Sequence, residues 1–165
     1  MAALGNKDIT MIKKITILIA LTLSFESFAG SKFTEDDLKA KTIAFIEAKN
    51  ARQQPNTKVQ DIDSFLSLIA DDFVDEHIKF NVRETSKEEL RKGMIYKMKD
   101  EIYFSNIEID QMMFGSNVAF VKYTEHAKVK PSHMDKSIEY TSTNIISLEF
   151  NEQGLVKHIR RHHGL

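Results

Sequence analysis

The spacing of apolar residues changes along the chain and divides it into elements. Over residues 35–53, Leu38, Ile43, Phe45 and Ile46 mark a helix packed along one stripe. Thr34 stands as its N-cap, Asp37 completes a capping box, Phe33 is placed to pack on Leu38, and Pro55 and Asn56 form its stop. Ile62, Phe65, Leu66, Ile69 and Phe73 recur at i, i+3, i+4, i+7 and i+11, predicting a second helix over 62–72. The period then falls to two. Val74, Ile78, Phe80 and Val82 alternate with Asp75, His77, Lys79 and Asn81, interrupted only by Glu76, which predicts a half-buried strand with the apolar set inward. Ser86 and Glu89 form a second capping box, opening a short helix that carries Leu90, Met94 and Met98. Strands are predicted over 102–113, 117–130, 137–150 and 155–162, with turns at Gly115-Ser116 and "NEQG" and a longer loop at "KPSHMDK".

The first thirty residues follow a different logic. Lys13 and Lys14 precede an apolar run from Ile15 to Phe25, and Ser27 and Ala29 are small residues spaced as for cleavage. The expectation is a secretory signal peptide over residues 1–29, with residues 1–10 lying ahead of the true start at Met11. The run is too short to span about 30 Å of hydrocarbon, so no membrane anchor is expected after cleavage. A periplasmic or secreted bacterial protein is expected, with one globular domain over 30–165. The chain has 23 basic and 24 acidic residues, which gives no footprint for nucleic acid. It has no cysteine, which excludes disulfides, thiol chemistry and lipid attachment through a cysteine.

Two helices, a strand, a helix and a run of strands, with "FLSLIADDFVDEHIKF" ahead of the capped helix and "LEFNEQGLVKHI" closing the chain, resemble the NTF2-like superfamily near its SnoaL-like branch. The resemblance covers residues 34–163. It implies an α+β fold in which a curved antiparallel sheet carries helices on its concave face around a cone-shaped pocket. It does not imply a reaction, because that fold hosts isomerases, cyclases, dehydratases, transport adaptors and plain binding modules. Ketosteroid-isomerase-like members use an aspartate base at the end of the first strand, where this chain offers Asn81, and an acid where it offers Ile146. They also take a tyrosine from the first helix, and residues 35–54 contain none.

Glu125, flanked by Tyr123 and His126, is the candidate general base if it shares the inward face of Ala119 and Val121. His158 is a second candidate base, and Tyr123 and Tyr140 are candidate hydrogen-bond donors. For ligand binding the candidates are Asn81, Asn144, His158 and Arg160, with Arg160 as a bidentate anion clamp and Arg161 and His163 as solvated neighbours. No metal site is expected: His158 and His162 share a strand face but stand about 13 Å apart. No cofactor is expected. The leading reading is an exported domain that binds a small, partly apolar molecule. Its rivals are an acid/base enzyme acting on a carbonyl or cyclic substrate, and a homodimer or interaction module docking through the sheet, with Met112, Met113 and Phe114 in its core or dimer face.

Overall fold

The computed structural model describes residues 33–164, and the expected leader and start site lie outside them. Helix α1 (Glu35–Ala51) opens as predicted: Asp37 N donates to Thr34 Oγ1 at 3.1 Å and Thr34 N to Asp37 Oδ2 at 2.9 Å. Its buried stripe is Leu38, Thr42, Phe45, Ile46 and Lys49, so Ile43 gives its expected place to a threonine and a lysine joins the apolar set. Helix α2 (Val59–Ser67) is shorter at its end than the periodicity predicts. Ile69 and Phe73 belong instead to β1 (Ile69–His77), where Val156 N donates to Leu68 O at 2.8 Å and Ile69 pairs with Val156. Pairing with the last strand thus overrides a helical spacing that an irregular strand also satisfies.

β1 reverses the expected inward face. Phe73 and Asp75 are buried, whereas Ile78, Phe80 and Val82 are each more than half exposed. The alternation read over 74–82 crosses a break, because the strand ends at His77 and the chain turns through Ile78–Phe80. Asn81 closes that turn at φ 51°, in the left-handed region that asparagine tolerates better than most residues, and lies before β2 (Val82–Glu84) rather than in a strand. Helix α3 (Lys87–Lys97) is capped by Ser86 Oγ, which accepts from Glu89 N at 3.2 Å; the Glu89 carboxylate pairs with Lys92 and leaves the second capping box half formed.

The remaining strands match their predicted spans closely: β3 (Glu101–Gly115), β4 (Val118–Lys130), β5 (Ile138–Phe150) and β6 (Val156–Arg161). The six-stranded sheet runs β2-β1-β6-β5-β4-β3, with all pairings antiparallel except β1 with β6. The parallel pair arises because the chain leaves β1 through α3 and three long strands before β6 returns beside it. Register shifts between Ile102 and Phe104, Ile109 and Gln111, and Glu149 and Phe150 bend the sheet. The helices cover its inner face. Leu38, Phe45, Phe65, Phe73, Leu148 and Ile159 form the centre of the core, each at most 2% exposed. Among the described residues no helix is long and apolar enough to cross a membrane.

Candidate functional site

The stripe of α1 continues past its apolar part. Leu38, Thr42 and Phe45 are followed in phase by Lys49 and Arg52, so the last turn of the helix points charged groups at the inner sheet face. On β4 the inward set Ala119, Val121 and Tyr123 continues to Glu125 and Ala127, and on β6 Arg161 follows Ile159. These extensions meet at a cleft of about 380 Å³. Met94 and Met98 at the end of α3, with Ile102, Ala127 and Val129 of the sheet, give the cleft apolar lining, and Lys97 and Asp100 line it beside them. The shift between Ile102 and Phe104 lets Ile102 and Ser105 both face the cleft.

Two ion pairs occupy its floor. Lys49 Nζ donates to Glu125 Oε2 at 2.9 Å, with side-chain exposures of 6% and 13%. Arg161 grips Asp75 in a bidentate pair, Nε to Oδ1 at 2.8 Å and Nη2 to Oδ2 at 2.7 Å. Glu125 also accepts from Tyr140 Oη at 3.0 Å and from Gln53 Nε2 at 3.2 Å. Gln53 donates further to Ser105 Oγ at 2.9 Å, and Gln54 Nε2 to Ser105 O at 2.8 Å, which ties the end of α1 to β3. Arg52 stands apart. Its guanidinium lies 4.5 Å over the Phe65 ring, its Nε is buried without a hydrogen-bond partner, and among the described residues it forms no ion pair.

These surroundings set the charges. Burial lowers Lys49 to a pKa of about 8, although Glu125 opposes the shift. Burial, then repulsion from Arg161, lowers Arg52 to about 10, which still leaves it charged at neutral pH. Burial alone would raise Glu125, but the charge of Lys49 and the hydrogen bonds from Lys49, Tyr140 and Gln53 outweigh it and hold the carboxyl below its ordinary value. Arg161 is likewise disfavoured by burial and more than compensated by Asp75. Burial pushes Tyr123 up to about 12 and, with Glu125, also raises Tyr140. Glu125 and Asp75 are therefore spoken for, and the Arg52 guanidinium has no carboxylate within ion-pair distance among the described residues.

The expected site residues divide between the sheet faces. Glu125 and Tyr140 line the cleft, and Tyr123 is buried beneath it with Lys49 Nζ 5.2 Å from its ring centroid. Asn144 pairs in register with Tyr123, but its amide donates to Ser142 and it does not line the cleft. His158 and Arg160 lie on the outer face, where both meet Glu76 Oε2, at 3.1 and 2.9 Å. Arg161, expected to be the solvated neighbour, is the inward arginine, because the strand's phase is fixed by buried Ile159. Asn81 does not line the cleft, and the first strand ends with His77 instead. His163 stacks edge-on against Phe80 at 5.1 Å rather than standing free. Lys49, Arg52, Gln53, Asp75 and Ser105 carry no sequence motif; their only signal is that each falls in phase with buried neighbours. On the outer face Met113, Phe120 and Ile145 are exposed, with Phe120 and Ile145 flanking Lys122 across the β4–β5 register.

No protein-family model matches the chain, and no curated protein matches its sequence. Solved structures match its fold. An NTF2-like protein of unknown function from Exiguobacterium sp. 255-15 superposes with a TM-score of 0.59 at 8% identity, covering 75% of this chain and 98% of that one. A candidate SnoaL-like polyketide cyclase from Shewanella denitrificans OS-217 gives 0.61 at 11% identity, covering 75% and 88%. An epoxide hydrolase of the LEH-like type from M. tuberculosis gives 0.55 at 13% identity, covering 76% and 84%. The chain has the α+β, cone-shaped NTF2-like fold, of the form seen in SnoaL-like domains.

Proposed function

We propose that this NTF2-like domain binds a small organic anion with an apolar body, its charged end held by Arg52 and its body against Met94, Met98 and Ile102. The observation that carries the reading is the unmatched charge. Lys49 and Arg161 each have a carboxylate, whereas Arg52 lines the cleft with a buried, unpartnered Nε. Glu125 and Asp75 attract Arg52 only through space, so its buried guanidinium keeps a desolvation cost that an incoming carboxylate relieves with charge-assisted hydrogen bonds. The mixed lining, apolar residues with polar and charged groups among them, suits a ligand that must be oriented.

Acid/base catalysis by Glu125 is the weaker reading. Its proximity to Tyr140 fits a base beside a donor, but three donors stabilise the ionised carboxylate and so reduce its basicity. Calorimetric titration with hexanoate and hexanol tests the binding reading. Hexanoate should bind saturably, with affinity falling on the order of tenfold or more in Arg52→Gln, and hexanol should bind far more weakly. Equal binding of the two, or unchanged hexanoate affinity in Arg52→Gln, refutes the anion reading. With the expected leader, such binding takes place outside the cytoplasm of the bacterium; an uncleaved chain retained in the cytoplasmic fraction would exclude this.

A further inference from the structure

We infer that Lys49 is a carbonyl-reactive amine, and that the ligand class of the cleft is an oxo acid whose carbonyl condenses with Lys49 while its carboxylate rests on Arg52. The inference builds on the anion reading above. Lys49 and Arg52 are three residues apart on the last turns of α1, the spacing that puts two side chains side by side on one helix face. A carboxylate at Arg52 therefore brings the adjoining atoms of its ligand to the Lys49 amine. Lys49 is the buried lysine of the cleft, 5% exposed, with Glu125 Oε2 at 2.9 Å and the Tyr123 ring below. Glu125 in turn accepts from the Tyr140 hydroxyl at 3.0 Å, so the carboxylate that faces the nitrogen is held in place and ionised, opposite the charge an iminium would carry.

The chemistry balances without an oxidant or reductant. The ammonium, with its lowered pKa, gives one proton to water, and the freed lone pair attacks the carbonyl carbon. The carbonyl oxygen takes up that proton and a second one from the nitrogen, and leaves as water. The ammonium and the carbonyl thus give a protonated imine and one water. The product keeps a positive charge opposite Glu125, so the carboxylate does not lose its counter-ion when the bond forms. The lowered pKa of Lys49, about 8, supports the same reading, because neutral amine is then present near pH 7 in roughly a hundredfold greater proportion than for an ordinary lysine.

The test uses phenylpyruvate with cyanoborohydride, which reduces an imine to a stable amine, and benzylacetone as the uncharged ketone. The expected result is an adduct, of the oxo acid's mass less one oxygen, on the peptide that contains Lys49. It should be about tenfold faster than at any exposed lysine, speed up as pH rises towards 8, and be absent in Lys49→Arg, which keeps the charge facing Glu125. Saturable phenylpyruvate binding that depends on Arg52 but leaves no adduct at Lys49, or labelling spread evenly over the lysines, overturns the imine inference and leaves the anion reading standing. Labelling of Lys49 by benzylacetone as fast as by phenylpyruvate overturns the role of Arg52 and leaves the reactive amine. Neither binding nor labelling overturns both.

Discussion

The two halves of α1 lie on the same sheet face and do opposite work. Leu38, Thr42, Phe45 and Ile46 are at most 2% exposed and pack against Phe65, Leu148 and Ile159, where burial of apolar area stabilises the fold. One turn later, with the same phase, Lys49 and Arg52 enter a region in which the sheet supplies Glu125, Asp75 and Arg161 instead of aliphatic side chains. The first half is what a hydrophobic core requires. The second half buries five charged groups where five apolar ones would cost less, which is the contrast the proposed ligand would account for.

The sharpest way to break that contrast is to make the second half resemble the first. Glu125→Leu alone strands the Lys49 ammonium at 5% exposure and should destabilise the domain by roughly 3 kcal/mol. Combining it with Lys49→Met removes both charges, and the double variant should unfold at a urea concentration equal to or above that of the wild type while losing the imine adduct. A double variant as unstable as the single one would mean that the pair is a structural element, and the contrast would collapse. The pH dependence gives the same comparison a sign. Folding lowers the Lys49 pKa from 10.5 to about 8, so between those values the unfolded chain binds more protons at this site and stability rises with pH. Glu125 is ionised in both states across that range and adds no slope. From about pH 7 to about pH 9 the wild type should therefore gain on the double variant by roughly 1 kcal/mol, measured as the difference in unfolding free energy. A wild type that loses ground over that window would contradict the burial of Lys49.

Much of the fold was legible because its signals are local. The Thr34 and Asp37 capping box, the Gly154 turn and the long alternations of β3 to β5 each depend on residues close in sequence. The site was less legible because its pairs are not. Arg161 and Asp75 lie 86 positions apart, and neither looks like an inward residue until the other is known. Hydrophobic alternation over 74–82 sets Asp75 opposite the apolar positions, where a lone carboxylate belongs. Its partner reverses that assignment. Glu125 was recoverable because Ala119, Val121 and Tyr123 set the phase of a regular strand. Lys49 and Arg52 were recoverable in principle by extending the stripe of Leu38, Thr42 and Phe45, but a stripe defined by apolar residues alone stops at Ile46.

Arg160 gives the comparison its smallest test. It neighbours Arg161, belongs to the same strand and also has a carboxylate partner, yet β-strand alternation turns it to the outer face. There its side chain is 46% exposed and meets Glu76, with water free to replace the contact. Arg160→Ala should therefore leave the urea midpoint and the hexanoate affinity at their wild-type values within error. Binding lost in Arg160→Ala and kept in Arg52→Gln would mean that the ligand sits on the outer face beside His158 and Glu76. The unpaired Arg52 would then be a cost of the fold with no ligand to offset it.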